Sequence, residues 1–333
     1  MPEALAHVTR GDLIECIHYG DLAVCDATGK LIASVGDPSR RVYWRSSAKP
    51  IQALGVVQSG AADRFAFTAR ELSVCCASHS GSAEHVETVR GILAKIGLDE
   101  TALQCGTHWP GDTAERNRLI KADASPSPVH NNCSGKHSGM LASCVAWGAD
   151  PGSYLALDHP VQKRIYENLS VLSGVPVADI PCSVDGCGAP THAMSLQAMA
   201  TAFARLAWPD DMPEPIQQAA PRIVAAMAAE PVMVSSRGSF NSLLLEAGMG
   251  RIVAKGGAEG LFVLGLTAHG LGIAVRTSDG NGRCHPPVVL HLLASLGCLE
   301  RDLGEALADF VCPKITNCHG VTVGEIRPAF ELA

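Results

Sequence analysis

The stretch WRSSAKP at residues 44–50 decides the fold, because it separates a strand-rich opening from a helical middle region. Proline suits the first turn of a helix, where its missing N–H would have no partner within the helix. Ile51, Leu54 and Val57 then fall on one face at helical spacing. The pattern therefore predicts that a helix begins here.

Upstream of this stretch, short runs rich in β-forming residues are separated by turn residues. The predicted strands are residues 13–18, 22–26 and 31–35. Residues 19–21 and 27–30 lie between them and are typical of hairpin turns. The opening of the chain is therefore expected to form a sheet.

Downstream, apolar residues recur every three or four positions, which is typical of helices. The four clearest stripes lie at residues 86–96, 161–172, 194–206 and 216–227. Ser82 is a good N-cap for the first of them. The middle of the chain is therefore predicted to be helical.

Toward the end of the chain, short apolar runs punctuated by glycine predict strands at 240–247, 250–255, 260–267 and 271–276. A helix is predicted at 286–296. The order strands, helices, strands predicts one composite α/β domain over residues 1–333. Strands at about 11–45 and 238–280 would share one sheet, and the helical region at about 46–235 would pack beside it.

The composition excludes several classes of protein. Hydrophobic residues make up 47% of the 333 residues and charged residues 18%, which supports a large buried core. A net charge of −7 without a basic tract argues against nucleic acid or an anionic membrane as partner. The longest uncharged stretches are too short or too polar to span a membrane.

The compartment is predicted from the opening residues and the cysteines. The first residues lack the apolar segment of a secretory signal, so export is not expected. The 13 cysteines are an odd number without the spacing of a small disulfide scaffold. They are interpreted as reduced thiols, and a cytoplasmic location is expected.

Ser46 and Lys49 form the first candidate for chemistry. Their i, i+3 spacing places both on one helix face. A lysine whose pKa is depressed by burial or by another cation can take the proton of a serine hydroxyl. The plain alternative is that Ser46 only caps the helix and that Lys49 is a solvated surface residue.

Two polar strings at predicted helix starts are the next candidates. Ala77-Ser78-His79-Ser80-Gly81-Ser82 offers hydroxyls and free backbone N–H groups that can hold a carboxylate or an oxyanion. The string at residues 130–139, HNNCSGKHSG, is the densest polar cluster in the chain. Its Cys133 and His137 are spaced i, i+4, which suits a shared metal or a Cys/His pair. The alternative for the first string is ordinary helix capping. The alternative for the second is that Cys133 is an inert buried thiol and His137 a hydrogen-bonded core residue.

Two further strings carry thiols, a carboxylate or a lysine. The loop at residues 181–190 holds Cys182, Asp185 and Cys187, and its thiols could complete a metal site with Cys133 and His137. Lys255 ends a predicted strand, and glycines that permit close approach of a ligand follow it. The spacing is not that of a phosphate-binding loop.

Taken together, these strings resemble the bacterial L-asparaginases of the Rhizobium etli type, also called class 3. The blocks that carry the resemblance are WRSSAKP, CASHSG, HNNCSGKHSG, DGCGAP and AKGGAEG, in that order. They cover nearly the whole chain. The resemblance implies a fold similar to serine β-lactamases and glutaminases, in agreement with the predicted α/β order. It also implies a homodimer.

The resemblance assigns roles to residues that spacing alone left open. It implies two Ser–Lys tandems, Ser46 with Lys49 and Ser78 with Lys255. It also implies a zinc ion, held with a water molecule, and here Lys136 replaces the histidine that spacing suggested. The implied zinc ligands are Cys133, Lys136 and Cys187, and the residues expected to bind the substrate are Arg45, His137 and Asp185.

The implied reaction is hydrolysis of L-asparagine to L-aspartate and ammonia. Ser46 is the expected nucleophile and Lys49 the expected base. Zinc is expected to position the substrate, since the serine and lysine already supply a nucleophile. Two alternatives stay open. One is a glutaminase- or β-lactamase-like serine hydrolase, and the other is a zinc-dependent binding or redox-sensing protein.

Overall fold

The framework is an antiparallel sheet built from both ends of the chain. The structure is a computed structural model that describes residues 1–332. Its strands are β1 (Glu3–Arg10), β2 (Leu13–Asp26), β3 (Leu31–Val35), β4 (Arg41–Tyr43), β5 (Cys182–Val184), β6 (Pro190–Ser195), β7 (Ile252–Gly256), β8 (Leu261–Leu266), β9 (Leu271–Thr277), β10 (Lys314–Thr316) and β11 (Thr322–Pro328). The order in the large sheet is β10-β11-β1-β2-β9-β8-β7, with β3 paired to β2. A small sheet has the order β4-β6-β5. The predicted α/β architecture is confirmed.

Helices fill the middle of the chain and cover the sheet. They are α1 (Lys49–Gln58), α2 (Ala61–Arg64), α3 (Ala69–Cys75), α4 (Ala83–Lys95), α5 (Thr113–Lys121), α6 (Ser134–Trp147), α7 (Pro160–Ser173), α8 (Leu196–Ala207), α9 (Glu214–Ala229), α10 (Pro231–Val234), α11 (Phe240–Gly248), α12 (His285–Ser295), α13 (Arg301–Ala306) and α14 (Ala308–Val311). Helices occur at each of the predicted apolar stripes, although Met194 lies in β6. Within residues 1–332, no helix is both long and apolar enough to cross a membrane.

Two local predictions were wrong. Residues 19–21 do not turn, because β2 runs unbroken through them; Gly20 serves close strand pairing, and a Cβ there would lie 2.2 Å from the Arg276 carbonyl oxygen. The apolar run at 240–247 is helix α11, capped by the Ser239 hydroxyl, and not a strand. A short apolar run without alternation fits either state. The strands that were not predicted are β1, β4, β5, β6, β10 and β11. Of these, β5 and β6 lie within the region predicted to be helical, and β4 joins them in the small sheet instead of the large one.

Helix α8 packs directly on the sheet because two paired glycines leave room for its backbone. Gly265 in β8 and Gly272 in β9 are cross-strand partners. A Cβ at Gly272 would lie 1.9 Å from the Ala200 carbonyl oxygen, and one at Gly265 would lie 2.3 Å from that of Phe203. Only glycine permits this approach.

Helix α6 meets the end of α3 with equally little space. A Cβ at Gly135 would lie 2.1 Å from the Val74 carbonyl oxygen, and one at Gly139 would lie 2.9 Å from Cys75 Sγ. Both glycines lie on the face of α6 that is buried against α3. This approach brings the polar string at 130–139 beside the serine-rich turn that follows α3. The helical packing therefore assembles two of the candidate strings.

Gly135→Ala is expected to lower the free energy of unfolding by about 1–3 kcal/mol, because the added methyl group overpacks a contact with rigid backbone. Gly91→Ala in α4 is the matched control, since the nearest atom to its new Cβ would be 3.8 Å away. That change should be neutral or stabilise by up to about 1 kcal/mol. Urea unfolding of both variants measures the difference. Equal unfolding midpoints would contradict the packing argument.

Candidate active site

Lys49 lies at the centre of the candidate site. It begins α1 after a 3₁₀ turn at Arg45–Ala48, and its side chain is fully buried. Its Nζ donates to the Ala77 carbonyl oxygen at 2.5 Å and to Ser78 Oγ at 3.0 Å, and lies 3.2 Å from Cys133 Sγ. One amine thus connects three of the strings that sequence analysis singled out.

Ser46 occupies the turn before Lys49 and is half-buried. Its hydroxyl makes no hydrogen bond with any other part of residues 1–332, and its carbonyl accepts from the Lys49 backbone N–H. The predicted pair therefore shares a turn, but the Lys49 amine is hydrogen-bonded to Ser78 instead of Ser46. The pairing of Ser46 with Lys49 in catalysis stays a prediction.

Lys255 ends β7 and is buried beside this group. Its Nζ donates to the Gly256 carbonyl oxygen at 2.7 Å. The Asn241 amide holds the strand end, since it accepts from Gly256 N–H and donates to the Ala254 carbonyl. Burial, and then the positive charge of Lys49, lower the pKa of Lys255 to about 7. No hydrogen bond joins it to Ser78 in the described part of the chain.

Cys133, Lys136 and Cys187 lie together, and their role as zinc ligands stays a prediction. Lys136 Nζ donates to Cys187 Sγ at 3.0 Å, and all three side chains are buried. A hydrogen bond from Cys187, with help from the Lys49 and Lys136 charges, holds the pKa of Cys133 well below its ordinary value. The pKa of the Cys187 thiol is raised. The pair therefore carries one thiolate, shared with the neighbouring amines.

The charge of Lys136 follows from the same contacts. Burial disfavours its ammonium form, but Cys133 and Cys187 outweigh burial and raise the pKa of Lys136. Within residues 1–332, no three His, Cys, Asp or Glu side chains gather as a metal site. The predicted set contains only two such residues and a lysine. Two thiols and an amine in contact are nevertheless chemically suited to zinc.

Arg45 and Asp185 form an ion pair at the edge of this group. Arg45 Nε donates to Asp185 Oδ1 at 2.6 Å, and the Gly186 backbone N–H donates to the same atom at 2.8 Å. Burial raises the pKa of Asp185, but these contacts and the Lys136 charge outweigh it, so the pKa lies below its ordinary value. Arg45 Nη1 also lies 3.9 Å from Glu259 Oε1.

His137 lies behind the lysine cluster and is fully buried. The Tyr154 hydroxyl accepts from the Gln104 backbone N–H at 2.9 Å and donates to His137 Nδ1 at 2.6 Å. Burial holds the pKa of His137 well below its ordinary value, so the ring is neutral. Its Nε2 has no hydrogen-bond partner in residues 1–332. Substrate binding by His137 stays a prediction.

Sequence reasoning missed several residues that shape the site. Asn241 and Tyr154 are brought in by tertiary contacts, and no local pattern marks them. Glu259 lies in the AKGGAEG string, four residues after Lys255, so a signal for it was available. Its contact with Arg45 depends on how the loop lies across the Arg45–Ala48 turn.

The fold and this group of serines, lysines and thiols define a hydrolase-like site, and comparison with known families agrees. A model of the family described as L-asparaginase II matches residues 6–328. The chain belongs to the L-asparaginase II family, and it is an enzyme of the amidohydrolase class. The resemblance in the sequence is thereby confirmed. No curated protein matches the chain.

Solved structures resemble the chain only loosely. A β-lactamase from Mycobacterium bovis is 16% identical with a TM-score of 0.44, covering 83% of this chain and 94% of that one. A candidate β-lactamase from Bacteroides dorei is 11% identical with a TM-score of 0.46, covering 83% and 93%. D-alanine carboxypeptidase from Burkholderia cenocepacia is 14% identical with a TM-score of 0.38, covering 88% and 93%. The family assignment rests on the family match alone.

The buried lysine generates a pH prediction. If Lys255 takes up a proton in the reaction, it works only as the neutral amine, which predominates above its pKa of about 7. The value of kcat/KM for the amide substrate should therefore rise as pH rises through about 7. Lys255→Arg, which stays protonated, should lower kcat/KM by about a hundredfold or more. Lys121→Arg on the surface of α5 is the control.

Rates of ammonia release between about pH 6 and pH 9 measure this dependence. A flat profile for the parent enzyme would contradict the role of Lys255. So would a Lys255→Arg variant that keeps both its rate and the parent profile.

Proposed function

We propose that this enzyme hydrolyses the side-chain amide of L-asparagine, giving L-aspartate and ammonia by serine–lysine nucleophilic catalysis. The observation that carries the proposal is the contact of a buried lysine amine with a serine hydroxyl, since Lys49 Nζ donates to Ser78 Oγ. Lys49 itself lies one turn after Ser46. A nucleophile within reach of a lysine base is the signature of acyl transfer. Membership of the L-asparaginase II family supports the amide as substrate.

Ser46 is the proposed nucleophile. Its hydroxyl is half-buried and free of hydrogen bonds within residues 1–332, so it can attack without first breaking one. Its backbone N–H has no backbone acceptor in the described chain, which leaves a donor for the oxyanion. The Ser78 N–H, in contrast, donates to the Val234 carbonyl at 2.9 Å. These differences favour Ser46 over Ser78.

Lys49 is the proposed base, and Ser78 the residue that passes the proton onward. The serine proton moves to the Lys49 amine as the hydroxyl attacks the amide carbonyl, and an ester to Ser46 forms as ammonia leaves with that proton. A water molecule then hydrolyses the ester by the reverse transfer. Lys255, whose pKa is lowered to about 7, places a second amine near Lys49 that can take part in proton transfer. Arg45, whose side chain is oriented by Asp185, would bind a charged group of the substrate.

Cys133, Lys136 and Cys187 are proposed to hold a zinc ion, and the donor set fits it. When bound, zinc supplies a positive charge that can orient the substrate. Because the contacts of Lys136 favour its ammonium form, metal binding must displace a proton from it. A homodimer in the cytoplasm is part of the same proposal.

The reaction is tested by ammonia release from L-asparagine, with L-glutamine and the cephalosporin nitrocefin as competing substrates. The enzyme should prefer asparagine. Ser46→Ala should lower kcat at least about a thousandfold, because it removes the nucleophile. Ser59→Ala, at the far end of α1, is the control and should keep the parent rate.

Mass spectrometry of the quenched reaction should place the acyl group on Ser46. An acyl group on Ser78, or full activity of Ser46→Ala, would move the nucleophile to Ser78. No release from asparagine would overturn the proposed reaction, and turnover of nitrocefin or glutamine alone would replace it.

The proposed zinc site is tested by measuring the metal content of the purified protein. The purified protein should contain one zinc per chain, and Cys187→Ser should lose it because a thiolate ligand is removed. Cys182→Ser is the matched control, since Cys182 lies five residues away on the same loop and is half-buried. Removal of the metal by a chelator should raise KM more than it lowers kcat. An unchanged KM with kcat abolished would contradict a positioning role.

A further inference from the structure

The loop between Lys255 and β8 carries a carboxylate that the catalytic proposal does not use. Glu259 is 66% exposed and makes no hydrogen bond within residues 1–332. Its Oε1 lies 3.9 Å from Arg45 Nη1. This separation is too long for a hydrogen bond but short enough for attraction between the two charges. The carboxylate therefore lies beside Arg45, the residue that precedes the proposed nucleophile, with its lone pairs open to a ligand.

Arg45 offers positively charged donor groups beside the Glu259 carboxylate. Its Nε donates to Asp185, whereas its two terminal amino groups make no hydrogen bond within residues 1–332. Asp185 is already engaged by Arg45 and by the Gly186 N–H, and its side chain is 11% exposed. The carboxylate free to receive a cation at this place is therefore that of Glu259.

The backbone at both positions is strained in the same way. Arg45 has φ +47° and Glu259 has φ +60°, in the left-handed region that residues with side chains rarely occupy. Such strain persists only where the surrounding structure holds it, and it concentrates at ligand sites. The two residues with this strained backbone are the ones whose opposite charges lie 3.9 Å apart.

The loop that carries Glu259 is held at both ends. Gly257 donates to the Leu261 carbonyl at 2.7 Å, and a Cβ at Gly257 would lie 3.1 Å from the Trp44 carbonyl oxygen. The Gly260 carbonyl accepts from the Thr277 N–H and from His285 Nε2, each at 2.9 Å. Glu259 is thus presented from a fixed loop, which limits the entropy lost when a ligand binds.

We infer that Glu259 binds the α-ammonium group of an amino-acid substrate while the free amino groups of Arg45 bind its α-carboxylate. This inference rests on the proposed function and adds which groups of the substrate the enzyme recognises. The two charged groups of an α-amino acid are attached to one carbon, so they require opposite charges side by side, as Glu259 and Arg45 provide. The site then selects amides of α-amino acids over amides that lack the amino group.

The test compares ligands that differ only in the α-amino group. L-Aspartate and succinate form one pair, and L-asparagine and succinamate, its counterpart without the amine, form the other. The parent enzyme should bind aspartate at least about tenfold more tightly than succinate in titration calorimetry. Glu259→Gln should abolish this preference and raise KM for asparagine about tenfold to a hundredfold, with turnover of succinamate unchanged.

Two further variants separate recognition from folding. Glu305→Gln removes a carboxylate of matched exposure, 67%, that is also paired with an arginine, and it should change nothing. Glu259→Asp keeps the charge at a position that aspartate tolerates, so it should restore part of the preference.

An aspartate preference that survives in Glu259→Gln, or an equal loss for both ligands of a pair, would overturn the inference. So would a parent enzyme that binds aspartate and succinate equally. A parent enzyme that binds aspartate preferentially but releases no ammonia from asparagine would refute the proposed reaction and leave the role of Glu259 supported.

Discussion

Three buried lysine amines beside two thiols are the constraint on which the rest of the site depends. Lys49, Lys136 and Lys255 are 1%, 4% and 2% exposed. A buried ammonium group is costly unless an opposite charge lies against it or it gives up its proton. Lys49 and Lys136 each contact a thiol, whereas Lys255 does not and has its pKa lowered to about 7. The pKa of Lys136 is raised and that of Lys255 lowered, so these two similar side chains acquire different protonation states, which acid–base chemistry requires.

The scaffold meets this constraint by bringing backbones unusually close. Gly135 lets α6 approach the end of α3, so that Cys133 and Lys136 come within reach of the turn that carries Ser78. The sheet supplies Lys255 at the end of β7, where Asn241 fixes the strand. Helical packing and strand pairing therefore contribute different amines to one pocket. Neither layer contains the site without the other.

Much of the fold could be predicted from the sequence, because long periodic segments carry their own signal. The helices at Ala83–Lys95 and Pro160–Ser173 and the strand at Leu271–Thr277 follow their apolar patterns. The failures have physical causes. Gly20 looks like a turn residue but is needed for close pairing with β9, and the run at Phe240–Gly248 is apolar without a decisive period. The resemblance supplied the proposed ligand Lys136, whereas helical spacing alone suggested His137.

The arrangement of the serines and lysines shows why sequence spacing stops short of mechanism. Spacing pairs Ser46 with Lys49 because they lie in one turn, yet the Lys49 amine reaches across to Ser78, 29 positions along the chain. Lys255 is close enough for its pKa to respond to the Lys49 charge. Ser78, Lys49 and Lys255 are therefore connected with one another, and the contacts do not divide into the two tandems that spacing suggests. In such a group, the protonation of one lysine sets the basicity of the other, so the capacity to accept a proton belongs to the group as a whole.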